Sequence, residues 1–154
     1  MALWGWDAYL ADQIKDYLAS LAFAIPFTPV RGWQTPHYVV EEGEVDDLQV
    51  VIVPSFYEQD RDEHATDAWN EDYSIEVGII CKVHEPTTAD EADTLDLVRQ
   101  QIVEEVRKLE LTAPPAVCIH VNKGKPWPIM DKDVLAQNNI YLSVTVFTFR
   151  RLDQ

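Results

Sequence analysis

From Tyr73 to Val83 every second residue is apolar: Tyr73, Ile75, Val77, Ile79, Cys81 and Val83. A period of two sustained this long is that of a β-strand with one buried face. Ile140 to Arg150 repeats it, with Tyr141, Ser143, Thr145, Phe147 and Phe149 on one side. Strands of this kind fold only if something covers the apolar face. Two segments have the right period to do so. Leu10, Ile14, Tyr17, Leu18 and Leu21 recur at helical spacing behind Asp7, an expected N-cap, until Pro26 and Pro29 stop the run. Leu95, Val98, Ile102, Val106 and Leu109 form a second stripe. Pro86 and a Thr88-x-x-Glu91 capping box open it, and Pro114-Pro115 follow it. Acids at its start (Asp90, Glu91, Asp93) and bases near its end (Arg107, Lys108) suit the helix dipole.

Shorter strands are expected at 37–40, at 48–57 around Pro54, and at 116–121, with a short helical turn at 131–137. Residues 58–72 read as a polar, acidic connection, and 122–128 as a basic, proline-rich loop. The expected fold is therefore α+β: a mostly antiparallel sheet with two main helices packed on one face. A chain of 154 residues is the size of a single domain, 1–154, and 47% hydrophobic residues supply a core.

The chain carries 27 Asp and Glu against 12 Lys and Arg, a formal charge of −15. Such a balance excludes a grip on phosphate backbones, which needs clustered bases. The charge is concentrated: residues 41–72 hold twelve acids and one base, whereas 111–154 are net positive by two. No run approaches the roughly 20 apolar residues of a membrane span, and the N-terminus lacks the basic start of a secretory signal. Cys81 and Cys118 lie in strand-like runs without a CxxC spacing and read as small buried thiols.

No catalytic pattern emerges. Counted as an EF-hand loop from Asp60, residues 60–71 place acids at positions 1, 3 and 12, but Ala65 stands where the turn needs Gly, and strands flank the loop. His37, His64, His84 and His120 have no metal-ligand spacing. No GxSxG, HExxH, Walker or GxGxxG motif is present. No enzyme activity, cofactor or metal is expected. Trp4 and Trp6 admit two readings: folded back on the protein's own sheet, or part of an extended arm, residues 1–7, that binds a neighbour. Trp127, between two prolines, reads as cover for a core edge.

Several local runs together resemble one family. They are Val51-Ile52-Val53-Pro54-Ser55, the charged Asp60-Arg61-Asp62, and the strand Asp72-Tyr73-Ser74-Ile75-Glu76-Val77-Gly78-Ile79. The helix Leu95-Asp96-Leu97-Val98-Arg99-Gln100-Gln101-Ile102 and the closing strand Tyr141 to Arg150 complete the set. In this order they resemble the tail terminator, or tail completion, and neck proteins of tailed bacteriophages, from about residue 8 to 150. The Glu58–Glu71 stretch is unusually acidic for that family, and the Trp4–Trp6 arm has no match in it. The resemblance implies a non-enzymatic virion protein, assembled in the host cytoplasm, that forms a ring, commonly of six copies. Such a ring ends the tail tube and joins it to the head-side connector. Its partners would be its own copies, the tail tube protein and the connector, with DNA only in transit and no membrane.

Within that picture the acidic loops acquire a purpose: Glu41, Glu42, Glu44, Asp46, Asp47, Glu58, Asp60, Asp62, Glu63 and Asp67 are expected to face the lumen or the tube. A carboxylate lining gives the duplex no sticking site. Subunit contacts are expected from Trp4, Trp6, Arg61, Lys123, Lys125, Lys132, Arg150 and Arg151. The plain alternative is a solvated acidic face that keeps the protein soluble. A different functional class, an acidic DNA mimic that inhibits a nucleic-acid-binding protein, explains the charge equally well.

Overall fold

The computed structural model describes residues 5–33, 47–61, 69–85, 87–112, 115–122 and 130–152; at 56–61, 69–70 and 137–138 it is the backbone alone that is described. In chain order the elements are α1 (Trp6–Ala19), β1 (Val30–Arg31), β2 (Gln49–Arg61), β3 (Trp69–Lys82), α2 (Asp90–Arg107), β4 (Glu110–Thr112), β5 (Pro115–Val121), α3 (Lys132–Asn138) and β6 (Ile140–Arg151). The strands make one sheet in the order β1-β2-β3-β6-β5-β4. Its pairings are antiparallel except β1 with β2, which is parallel. The α+β class and the mostly antiparallel sheet expected from the two alternating runs are what the structure has.

Those two runs, β3 and β6, lie side by side in the middle of the sheet, Tyr73 opposite Phe149 and Ile79 opposite Ser143. Their apolar faces meet α1 and α2. One core unites Tyr73, Ile75, Val77 and Ile79 with Phe147 and Phe149, Leu10 and Ile14 of α1, and Val98 and Ile102 of α2. Side-chain bonds lock the layers: Tyr17 of α1 donates to Glu105 of α2 at 2.7 Å, and Tyr141 of β6 donates to Asp96 of α2 at 3.4 Å. The 131–137 segment, expected as a helical turn, is α3, capped by the Asp131 carboxylate accepting from the N–H groups of Asp133 and Val134. It lies on the other face of the sheet, where Ile80, Ile140 and Leu142 form a second, small cluster joined by Val134. Two helices therefore cover one face and a third covers part of the back.

Local expectations fail where two chemistries compete for one residue. Asp7 does not cap α1. The N-cap is Gly5, in the left-handed region at φ 96°, and Asp7 instead accepts from the neighbouring Ala8 N–H. The Thr88–Glu91 capping box does not form either. Ala89 occupies the N-cap, Thr88 donates back to the Glu85 carbonyl, and the Glu91 carboxylate accepts from the N–H groups of His84 and Glu85. Those N–H groups, His84's first, hold the Glu91 carboxyl below its usual pKa. β1 and β4, too short for any periodicity, were not foreseen; the expected 37–40 strand lies outside the described residues. Cys81 and Cys118 form no disulfide and are half-buried rather than buried.

Both outer long strands are irregular at one level. β2 shifts register between Pro54 and Phe56, and β5 shifts between Cys118 and His120. Through the pairings Phe56–Ser74, Ser74–Thr148 and Thr148–His120 these shifts fall on one row across the sheet. In that row Ser74 and Thr148 share a buried hydroxyl–hydroxyl hydrogen bond of 3.2 Å.

Candidate functional site

The largest departure from expectation concerns the acidic stretch. Residues 58–61 and 69–72 are not loop: they continue β2 and β3 as a hairpin, Glu58 opposite Asp72, Asp60 opposite Asn70 and Arg61 opposite Trp69. β6 follows β3 only as far as Asp72, so the last three hairpin pairs extend past it. At about 3.3 Å per residue this overhang is of order 10 Å. The connection shrinks to residues 62–68.

The base of the overhang is where the expected site residues converge. On the back face Asp72 is 3% exposed, and Arg150 binds it through two N–H bonds of 2.8 and 3.0 Å. This fork-on-carboxylate geometry is the strong form of a charge-assisted pair. On the helix face Arg151 reaches Glu71 at 3.5 Å and lies 5.4 Å from the centre of the Trp6 ring. Glu71 also accepts from the Tyr73 hydroxyl at 3.2 Å. Trp6, 1% exposed, packs against Tyr73 with ring centres 4.4 Å apart.

This arrangement corrects one of the expected subunit contacts, Trp6, and gives two others, Arg150 and Arg151, partners within the chain. Trp6 is a core residue and begins a helix, so the reading in which it folds back on the sheet is the one observed and the extended arm does not include it. Arg150 and Arg151 are engaged by carboxylates of their own chain, which sequence had counted into the acidic loop. Lys132 is exposed at the start of α3, and Asp47 is exposed beside β2. Asp60 and Arg61 sit on the overhang and Glu58 at its base opposite Asp72, placed by backbone. Glu41, Glu42, Glu44, Asp46, Asp62, Glu63, Asp67, Trp4, Lys123, Lys125 and Trp127 lie outside the described residues.

Two grooves flank α2. One, of about 400 Å³, has an apolar floor of Ile25, Leu48 and Leu95 and a charged rim that includes Asp47, Lys82 and His84. The other, of about 340 Å³, runs between Leu21–Phe23 and the α2 residues Leu97 and Gln101. Among the described residues no group of His, Cys, Asp or Glu is arranged to hold a metal ion. Among the described residues no helix is long and apolar enough to cross a membrane.

Sequence reasoning passed over one feature. Val30 and Trp33, at the edge strand β1, are 55% and 62% exposed, and the Arg31 guanidinium stacks 4.5 Å from the Trp33 ring centre. An apolar residue on each side of Arg31-Gly32, directly after Pro29, was the available signal. No protein-family model matches the chain, and no curated protein matches it.

Proposed function

We propose that the chain is a structural, non-enzymatic virion protein, a subunit of a ring at the head-proximal end of a phage tail tube. The ring, of six copies by the family likeness, would end tube growth and join the tail to the head-side connector. It would assemble in the host cytoplasm and contact its own copies, the tube protein and the connector. DNA would meet it in transit alone.

One observation carries this reading: an acidic hairpin end outruns the rest of the sheet, while the arginines beneath it are held by carboxylates of the same chain. By sequence this end carries Asp60 beside Arg61, and at its base Glu71 and Asp72 occupy Arg151 and Arg150, so neither of those two arginines is offered to a passing duplex. A lumen lined this way repels phosphates along its length. Purified chain, alone and mixed with tail tubes, weighed by native mass spectrometry and sedimented, tests it. A ring-sized mass or co-sedimentation with tubes is the expected outcome. A monomer that ignores tubes overturns it.

A DNA-mimic inhibitor is the second reading, and a separate observation favours it. Lys15, Arg31, Arg99, Arg107, Lys108, Arg150 and Arg151 each lie within 4.0 Å of a carboxylate in the chain. What a partner meets is correspondingly dominated by acids. A monomer that captures a nuclease or another DNA-binding protein in a DNA-displaceable manner would select it.

A further inference from the structure

Helix α2 carries two stripes. The buried one, with Leu95, Val98, Ile102 and Val106, faces the core. The other is Asp90, Thr94, Leu97, Gln101, Glu104 and Lys108, in alternating steps of four and three. That spacing is the seam of a coiled coil. Gln101 is half-buried and the other five are exposed, Leu97 by 46%. The stripe is also self-complementary. Set against itself in the opposite direction about the level of residue 99, it brings Asp90 to Lys108, Thr94 to Glu104 and Leu97 to Gln101. The groove of about 340 Å³ lies at the last of these levels. Its α2 wall runs from Leu97 to Glu105, with Gln101 at the middle, and its other wall is Leu21–Phe23. Gln101 ties the two walls together, its side-chain oxygen accepting from the Ala24 N–H at 3.0 Å.

We infer that α2 docks antiparallel on α2 of a second copy, each Leu97 entering the other copy's groove. Charge complementarity selects this occupant. The helix has acids at its start (Asp90, Glu91, Asp93) and bases at its end (Arg107, Lys108), so reversing one copy sets acids against bases at both ends. Arg107 and Lys108 hold Glu104 and Glu105 of their own helix at 2.9 and 3.1 Å. Pairs this exposed are weak, and both bases stay within reach of a neighbour. Glu104 itself falls opposite Thr94 and not opposite an acid. The end charges fix direction and register, while burial of the two Leu97 side chains against Leu21 and Phe23 supplies the attraction. With −15 on each copy the pairing is weak and concentration-dependent. The same patch is used by both copies, so the contact is isologous, joins them in twos and closes on itself. It goes beyond the ring reading, whose head-to-tail seam needs another surface.

Sedimentation equilibrium of the full chain, carried up to about 1 mM, tests it. The expected result is a dimer whose dissociation constant rises at least about tenfold in Leu97→Glu, with the thermal melt unchanged. A charge reversal then tests the direction. Asp90 and Lys108 are about 27 Å apart along their own helix, so they interact only between copies. Asp90→Lys and Lys108→Asp are each expected to weaken the dimer about threefold or more, because the two-fold axis counts every end pair twice. The two together, which keep the wild-type net charge, are expected to restore it to within about twofold. A chain that stays monomeric up to about 1 mM overturns the inference. So does association of any size that is unchanged in Leu97→Glu, or weakening by the single reversals that their combination does not relieve. A ring-sized mass that survives Leu97→Glu overturns the α2 contact and leaves the ring reading standing.

Discussion

Asp72 and Tyr141 each have a measurable consequence. Removing the Asp72 carboxylate leaves the Arg150 guanidinium partly buried beside the hole, and breaking such a pair from one side is costly. Asp72→Ala is expected to lower unfolding stability by about 2–3 kcal/mol, since Arg150 keeps some solvent; urea denaturation at pH 7 measures it. Tyr141 gives a pH signature. Burial, and then the Asp96 charge, push its hydroxyl up from 10.0 to about 12. A pKa raised in the folded state contributes stability that is complete below the unfolded value and lost as pH rises through the folded one. Wild type should therefore lose more stability between pH 10 and 12 than Tyr141→Phe does, and urea midpoints across that range show whether it does. Asp96 behaves oppositely. Burial disfavours its charge, but hydrogen bonds from Arg99, Gln100 and Tyr141 outweigh that and lower its pKa. Its contribution is lost only as the solution becomes strongly acidic.

At the scale of elements, legibility followed period. β3, β6, α1 and α2 each have enough residues for a buried face to repeat several times, and most residues expected on those faces are in or against the core; Tyr17 and Leu21 are half-buried outside it. β1 and β4 have two and three residues, too few to repeat anything; β1 exists only by pairing with the distant β2, and β4 only as the short arm of a hairpin with β5. The overhang escaped for another reason. Glu58, Asp60, Glu71 and Asp72 look like loop residues by charge. A strand whose outer part has no core to cover is free to be polar on both faces. Trp6 failed as an arm residue because helix α1 begins at it and aims its ring at Tyr73. Trp6→Ala should cost about 3–5 kcal/mol, in the range of large aromatic truncations in a core. A merely surface-bound arm would cost less than about 0.5 kcal/mol, and the same urea titration separates the two.

For the whole molecule the net charge of −15 is the dominant quantity. Two of the bases that make residues 111–154 net positive, Arg150 and Arg151, are engaged by carboxylates within the chain. Copies therefore repel at long range, and repulsion is screened over about 10 Å at 0.1 M salt and about 3 Å at 1 M. Self-association should rise between 0.05 and 0.5 M salt. Analytical ultracentrifugation showing the reverse would mean that opposite charges hold copies together.

The strand order carries one more consequence, for the ribosome rather than the ring. Of the described strands β6 is made last, yet it lies between β3 and β5. While translation is under way, β2 and β3 can zip as a local hairpin, but β5 has no neighbour except β4, and the Phe147 and Phe149 side of the core is missing. Long-range closure of this kind is slow and leaves strand edges open in the interim. The sheet thus cannot close until β6 has left the exit tunnel, whatever the order in which the helices form.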